Sequence, residues 1–324
     1  MAELLAVEGL RTYYFTQKGP VRAVDGVSFR LERGQSLAIV GESGCGKSTL
    51  GASLMRLVAS PGKIVGGSVQ LEGLELLDMP EERFRKEVRW RRISLVPQNA
   101  MNALNPVKRV GDQIADAIVA HEGVSKQAAL ERARELFRLV GLDPSRITNY
   151  PHEFSGGMKQ RVVIAMALAL GPEILIADEP TTALDVVVQA QILNLLKQLK
   201  KEMGLHVLLI THDLSLVAEL ADRVLIMYAG KVAEEGSTDV LYEAPSHPYA
   251  QGLIRSIPRI GGKKELVWIP GYPPDLLVPP SGCRFHPRCP YAWDLCQREE
   301  PPLFRSSQGT LASCWLLKDG GAAR

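Results

Sequence analysis

The sequence predicts an α/β fold: a central sheet, an antiparallel β section before it, a helical section within it and a cysteine-bearing extension behind it. Three observations carry the prediction. The first is an apolar strand, Leu37–Val40, running into a glycine-rich loop, GESGCGKS (Gly41–Ser48), and then into a helical pattern from Thr49. The second is a buried strand ending in two acids, Ile174–Glu179. The third is a further apolar strand, Val207–Ile210, ending in Thr211-His212-Asp213.

The loop matches the phosphate-loop pattern G-x-x-x-x-G-K-[ST], in the strand–loop–helix context that the pattern needs. Gly41, Gly44 and Gly46 allow the backbone of Ser43, Cys45 and their neighbours to curl, so that successive N–H groups and a helix N-terminus face one anionic centre. Lys47 can reach terminal phosphates, Ser48 can ligate Mg²⁺, and Thr49 continues the loop into the helix. Leu50, Leu54, Leu57 and Val58 are expected on one face of that helix. The chain is therefore read as binding a nucleoside triphosphate on a P-loop NTPase core.

Composition bounds the rest. The chain has 324 residues, long enough for two domains or one with an appendage. Its 38 basic and 36 acidic residues leave a net charge of +2, which gives no ground for a nucleic-acid partner or a membrane-surface patch. No apolar run approaches the roughly 20 residues that cross a bilayer. The N-terminus lacks a basic region ahead of an apolar one, so no signal peptide is read there. A cytosolic setting follows, with any membrane contact made through partners.

In order along the chain, Leu4–Val7 reads as a first strand, followed by Tyr13-Tyr14-Phe15. One of these rings can stack on a nucleotide base, and Tyr14 is the choice; packing within a strand is the plainer alternative. Val21–Leu31 alternates as a strand, Gly66–Leu76 reads as a strand pair and Pro80–Arg92 as a charged helix. Ile93–Val96 is a buried strand that delivers Gln98 to its end, where an amide could serve Mg²⁺ and its water. Val110–Val119 and Lys126–Val140 are amphipathic helices, within a helical subdomain of about 100–170. Ser155 reads as an N-cap, with Gly156 and Gly157 exposing the N–H groups behind it and a helix over Val162–Leu170. This second anion-binding start implies a second ligand or a second subunit. Asp178 at the end of its strand would hold Mg²⁺, and Glu179 would act as general base toward water. Asp185 closes a turn into a helix, Val186–Lys200. His212 is read as functional from its place at a strand end.

These motifs together resemble the ATP-binding subunits of ABC transporters over about Leu4–Pro258. The resemblance implies an ABC-type ATPase that takes ATP and Mg²⁺. It implies that Lys47 and Gly41–Thr49 bind the phosphates, Ser48 and Gln98 serve Mg²⁺, Glu179 is the base and His212 senses the γ-phosphate. Ser155–Met158 would be the signature that closes over ATP held by an opposing subunit, and Asp185 would link the two sites. Phe154 and Met158 depart from the common LSGGQ form, but lie beside the Ser-Gly-Gly backbone. A narrower likeness is to the D-type ATPase subunits of dipeptide/oligopeptide importers, a branch that includes some nickel importers. It is carried by Arg22–Phe29, Asn102–Pro106 and Ser246–Tyr249 with the run to Pro258. It implies a paralogous second ATPase subunit, two transmembrane permease subunits, an extracytoplasmic solute-binding protein acting indirectly, and a place on the cytoplasmic face of the membrane. A soluble ABC ATPase acting on DNA or ribosomes is the rival reading; it lacks support in a chain with a single motif set and no heptad array.

The domains are thus expected as 1–258 and 259–324. The second begins with a Pro/Gly linker, Ile269–Gly282. Cys283, Cys289, Cys296 and Cys314 follow, able to complete a Zn²⁺ site or a [4Fe–4S] cluster. The branch resemblance favours the cluster over zinc or unmetallated thiols. His286 is read as a hydrogen-bonding or surface residue, not a ligand.

Overall fold

The computed structural model describes residues 3–257 and 269–318. The expected boundary at 258/259 and the end of the Ser256–Pro258 motif fall outside the described residues. The chain forms two compact units, one from Met1–Leu77 with Ile210–Arg324 and one from Asp78–Leu209.

The first unit opens with β1 (Glu3–Thr16) and β2 (Gly19–Glu32), which pair antiparallel. β1 is continuous where the sequence suggested a strand and a separate aromatic cluster. Register shifts between Val7 and Leu10 absorb an irregularity, at which Gly9 takes a φ of 56°. β3 (Leu37–Val40) is buried throughout and feeds α1 (Lys47–Leu54). This helix is shorter than its apolar spacing suggested: Arg56 takes a φ of 51°, which ends it, and Leu57 lies outside the helix and 48% exposed. β4 (Gly62–Leu71) pairs antiparallel with β1 and with β5 (Leu74–Glu75), completing a four-stranded antiparallel sheet ordered β2-β1-β4-β5.

The second unit begins with α2 (Glu81–Glu87), which stops well before Arg92 because Trp90 takes a φ of 70°. β6 (Ile93–Val96) matches its expected bounds. α3 (Val110–Glu122) ends on Gly123 in the left-handed region, and α4 (Lys126–Leu139) begins on the Ser125 cap. α5 (Gly156–Ala167) starts six residues before the expected helix, directly behind Ser155. β7 (Ile174–Asp178) is fully buried and runs parallel to β6. α6 (Val186–Met203) follows, buried along Ile192, Leu193, Leu196 and Leu199. The division between the units falls within β8 (His206–Thr211).

Back in the first unit, α7 (Leu214–Leu220) precedes β9 (Arg223–Tyr228), which lies parallel to β3. β10 (Lys231–Ser237) returns antiparallel to β9, and α8 (Thr238–Glu243) and α9 (Pro248–Arg255) follow. Ile269–Gly282 carries no helix or strand, as a linker should, yet it is tied down: the Arg22 N–H donates to the Leu276 carbonyl at 3.0 Å. Beyond it lie α10 (Asp294–Arg298), β11 (Phe304–Arg305) and β12 (Leu311–Ala312). β12 pairs with β10, so the extension adds a hairpin to the sheet that holds β3.

Candidate functional site

Within the first unit, the phosphate loop is a curl that only glycine permits at two points. Gly41 and Gly46 have φ of 152° and 105°, and a Cβ on either would strike backbone, at the Met227 and Ala23 carbonyls respectively. Gly44 is also left-handed, at 79°, but faces open space. Gly46 caps α1, so the first-turn N–H groups of Lys47, Ser48 and Thr49 open toward the curl. The Lys47 ammonium is buried and donates to the Gly41 and Glu42 carbonyls at 2.8 and 3.0 Å. Ser43, Gly44 and Ser48 are exposed, whereas Cys45 is buried with its Sγ 3.8 Å from Lys47 Nζ, and burial raises its thiol pKa. The pleat of β1 separates the two tyrosines. Tyr13 donates to Asp25 at 2.6 Å, while the Tyr14 hydroxyl lies 3.5 Å from Thr49 Oγ1 at the end of the loop.

Within the second unit, two clusters form. Asp178 is buried at the end of β7, and Glu179 beside it takes a φ of 46°, a conformation that costs a non-glycine residue about 1–2 kcal/mol. That turn brings the Glu179 carboxylate to Gln98 Nε2 at 2.9 Å and Thr182 Oγ1 at 3.0 Å. Gln98 and Glu179, singled out separately in the sequence, thus meet; Thr182 was missed, being a common turn residue. In the other cluster, Ser155 caps α5 and accepts from the Met158 N–H at 3.4 Å. Asp185 caps α6 and accepts from the Val188 N–H at 2.9 Å. The two caps adjoin, because a Cβ on Gly157 would stand 2.5 Å from Val188 Cγ1. Phe154 is buried edge-on to Phe137, and Arg146 lies over the Phe154 ring with its Nη1 4.0 Å from Met158 Sδ. The two departures from LSGGQ therefore share a local anchor. His212, which belongs to the first unit, follows β8 and is exposed.

In the extension, Cys283, Cys289, Cys296 and Cys314 all line one small cavity, with His247 and Trp293 among its walls. Nearby backbone N–H groups, of Phe285 and His286 at Cys283, of Tyr291 at Cys289 and of Leu316 at Cys314, favour the thiolates and oppose part of the effect of burial. Burial, with mutual repulsion of the sulfurs, pushes Cys283 up to about 11 and Cys314 up to about 12. His286 donates from Nδ1 to the Cys283 carbonyl at 2.9 Å, in keeping with a hydrogen-bonding role. Among the described residues, no group of three or more His, Cys, Asp or Glu is arranged to hold a metal ion, so neither the zinc nor the iron–sulfur expectation gains a preformed site.

The sequence profile of the family described as ABC transporter matches residues 24–182, and that of the oligopeptide/dipeptide transporter C-terminal region matches 233–296. The oligopeptide transport ATP-binding protein OppD of Bacillus subtilis is 47% identical over 322 residues, covering 98% of this chain and 90% of that one. The chain belongs to the ABC transporter ATP-binding proteins. The dipeptide transport ATP-binding protein DppD of Caldanaerobacter subterraneus is 45% identical over 324 residues, covering 99% of each chain. Among solved structures, the dimeric ATP-binding cassette MJ0796 in a post-hydrolysis state with ADP and Pi aligns with a TM-score of 0.64 and 29% identity, over 72% of this chain and 99% of that one. The chain therefore has the ABC ATPase fold, and ATP and Mg²⁺ are the substrate and ion expected of such an ATPase. Among the described residues no helix is long and apolar enough to cross a membrane. What this ABC ATPase's sequence did not disclose is the pairing of its extension with β2 and with its loop: Arg284 with Asp25 and Arg288 with Glu42, across 259 and 246 residues.

Proposed function

We propose that this chain is the ATP-hydrolysing subunit of a membrane importer for di- or oligopeptides. The observation that carries the reading is the pairing of an intact phosphate loop with an extension whose relatives at this identity are named for oligopeptide and dipeptide transport. Lys47 and the N–H groups of Gly41–Thr49 bind the phosphates, and Tyr14 stacks on the adenine. Ser48, Gln98 and Asp178 would hold Mg²⁺, which when bound offsets charge on the phosphate oxygens. So few protein ligands suit an ion that relies on water and substrate phosphates. Glu179, held by Gln98 and Thr182, orients the attacking water and takes its proton. His212 reads the γ-phosphate. Ser155–Gly157 and Asp185 close over ATP held by a second ATPase subunit, a paralogue, beneath two permease subunits at the cytoplasmic face, with an extracytoplasmic binding protein supplying the solute. A nickel importer is the alternative within the same branch.

The four cysteines would hold a [4Fe–4S] cluster, which when bound would staple the extension. Support comes from the four cysteines, which all line one cavity. The decisive experiment for the ATPase reading is Glu179→Gln: ATP binding is expected to persist, while turnover falls by about a hundredfold or more. Unchanged turnover removes Glu179 as the base.

A further inference from the structure

The segment Cys283–Cys289 carries two arginines, and both point away from the thiol cavity into the nucleotide-binding unit. Arg284 is buried, donating to the Ala229 carbonyl and pairing with Asp25. Asp25 also accepts from Tyr13, and its N–H donates to the Gly230 carbonyl at 2.8 Å. The Gly230 N–H in turn donates to the Cys45 carbonyl of the phosphate loop at 2.9 Å. Arg288 is buried too, and grips Glu42 with both ends of its guanidinium, at 2.7 and 3.0 Å. Its Nε donates to the Pro270 carbonyl at 2.8 Å and its Nη1 to the Tyr228 hydroxyl at 3.3 Å, so every branch of the fork is committed. Glu42 is held from a second side, its N–H donating to the Tyr249 hydroxyl at 2.9 Å.

Glu42 is the residue after Gly41, and its carbonyl accepts from Lys47. Its carboxylate is therefore a fixed negative charge inside a loop that must receive a polyanion. An isolated carboxylate there would repel the phosphates and would leave the loop's second residue free to move. A fork held on one carboxylate answers both problems, because bidentate pairing fixes direction as well as charge.

We propose that Arg288 is a positioning residue of the phosphate loop, clamping and neutralising Glu42 so that the cysteine segment sets the affinity for nucleotide. This rests on the reading that Gly41–Thr49 binds the phosphates of ATP. Arg288 touches no substrate; it acts through Glu42.

The test is calorimetric titration of the full chain with Mg²⁺-ADP. Arg288→Gln is expected to bind about tenfold or more weakly. Glu42→Gln in that background is expected to recover most of the loss, because no uncompensated acid then faces the phosphates; a merely structural role for Arg288 would not be relieved in this way. Arg288→Lys keeps a cation but not the fork, and is expected to fall between. It carries the same cycle with Glu42→Gln if Arg288→Gln does not fold. Unaltered affinity in the Arg288 variants, or a loss that Glu42→Gln does not relieve, overturns the proposal. Lys47→Ala separates the two readings: if it abolishes binding while the Arg288 variants bind as the unchanged chain does, the phosphate-loop reading stands and only the clamp fails. No binding by the unchanged chain overturns both.

Discussion

Gly46 and Gly44 have the same backbone sign but different neighbours, and this decides what each tolerates. At Gly46 a methyl group would strike the Ala23 carbonyl, so Gly46→Ala is expected to cost about 3 kcal/mol or more and to remove nucleotide binding. At Gly44 nothing lies within 4 Å, and Gly44→Ala should cost only the left-handed penalty of about 1–2 kcal/mol. Denaturant unfolding of the two variants, side by side, checks the contrast; equal losses would mean that the loop is not pinned at Ala23. The loop's glycines were legible in the sequence because their spacing alone states the curl. Which glycine faces backbone and which faces solvent was not, since Ala23 approaches from another strand. Glu179 is similar: its place after a buried strand was readable, while the left-handed turn that brings it to Thr182 was not.

Among the elements, α9 shows how a cap can carry a titration. His247 is its N-cap, accepting from the Tyr249 N–H through Nδ1 at 3.0 Å, and its environment is fully enclosed. Burial lowers its pKa to about 4, only partly opposed by its hydrogen bond to the Ser313 backbone. The neutral ring is therefore the folded form. Its stabilising share is complete above the unfolded value of 6.5 and drains away as pH falls from there toward 4, by up to about 3 kcal/mol at the acid limit. His247→Asn keeps a cap acceptor but cannot titrate. Thermal unfolding midpoints should then fall less steeply between pH 6.5 and 4 in the variant than in the unchanged chain; parallel curves would exclude His247 as the source. Element types were largely readable from periodicity, as α3, α4, β6 and β7 attest. Ends were less so. α1 and α2 stop at residues forced into positive φ, Arg56 and Trp90, and no apolar pattern announces that.

At the scale of the molecule, the first unit is discontinuous in sequence, with residues 78–209 inserted between its parts. The extension is woven into that unit by β12, by Leu276 and by two buried arginines, and does not hang from it. Its cysteine count and spacing were visible at once, but spacing could not state that the same segment would reach Asp25 and Glu42. Anaerobic analysis of the purified chain is expected to return about four iron and four sulfide per chain. Cys289→Ser should lower both, and one equivalent of zinc or no metal would set the cluster aside. The span of 246 residues between Glu42 and Arg288 has a further meaning for biosynthesis. A ribosome releases the phosphate loop early and its clamp late, so a nascent chain cut short before residue 288 would carry every nucleotide motif and still lack the hand that steadies the first of them. Such a truncated chain is expected to bind nucleotide more weakly than the full chain, as the Arg288 variants would.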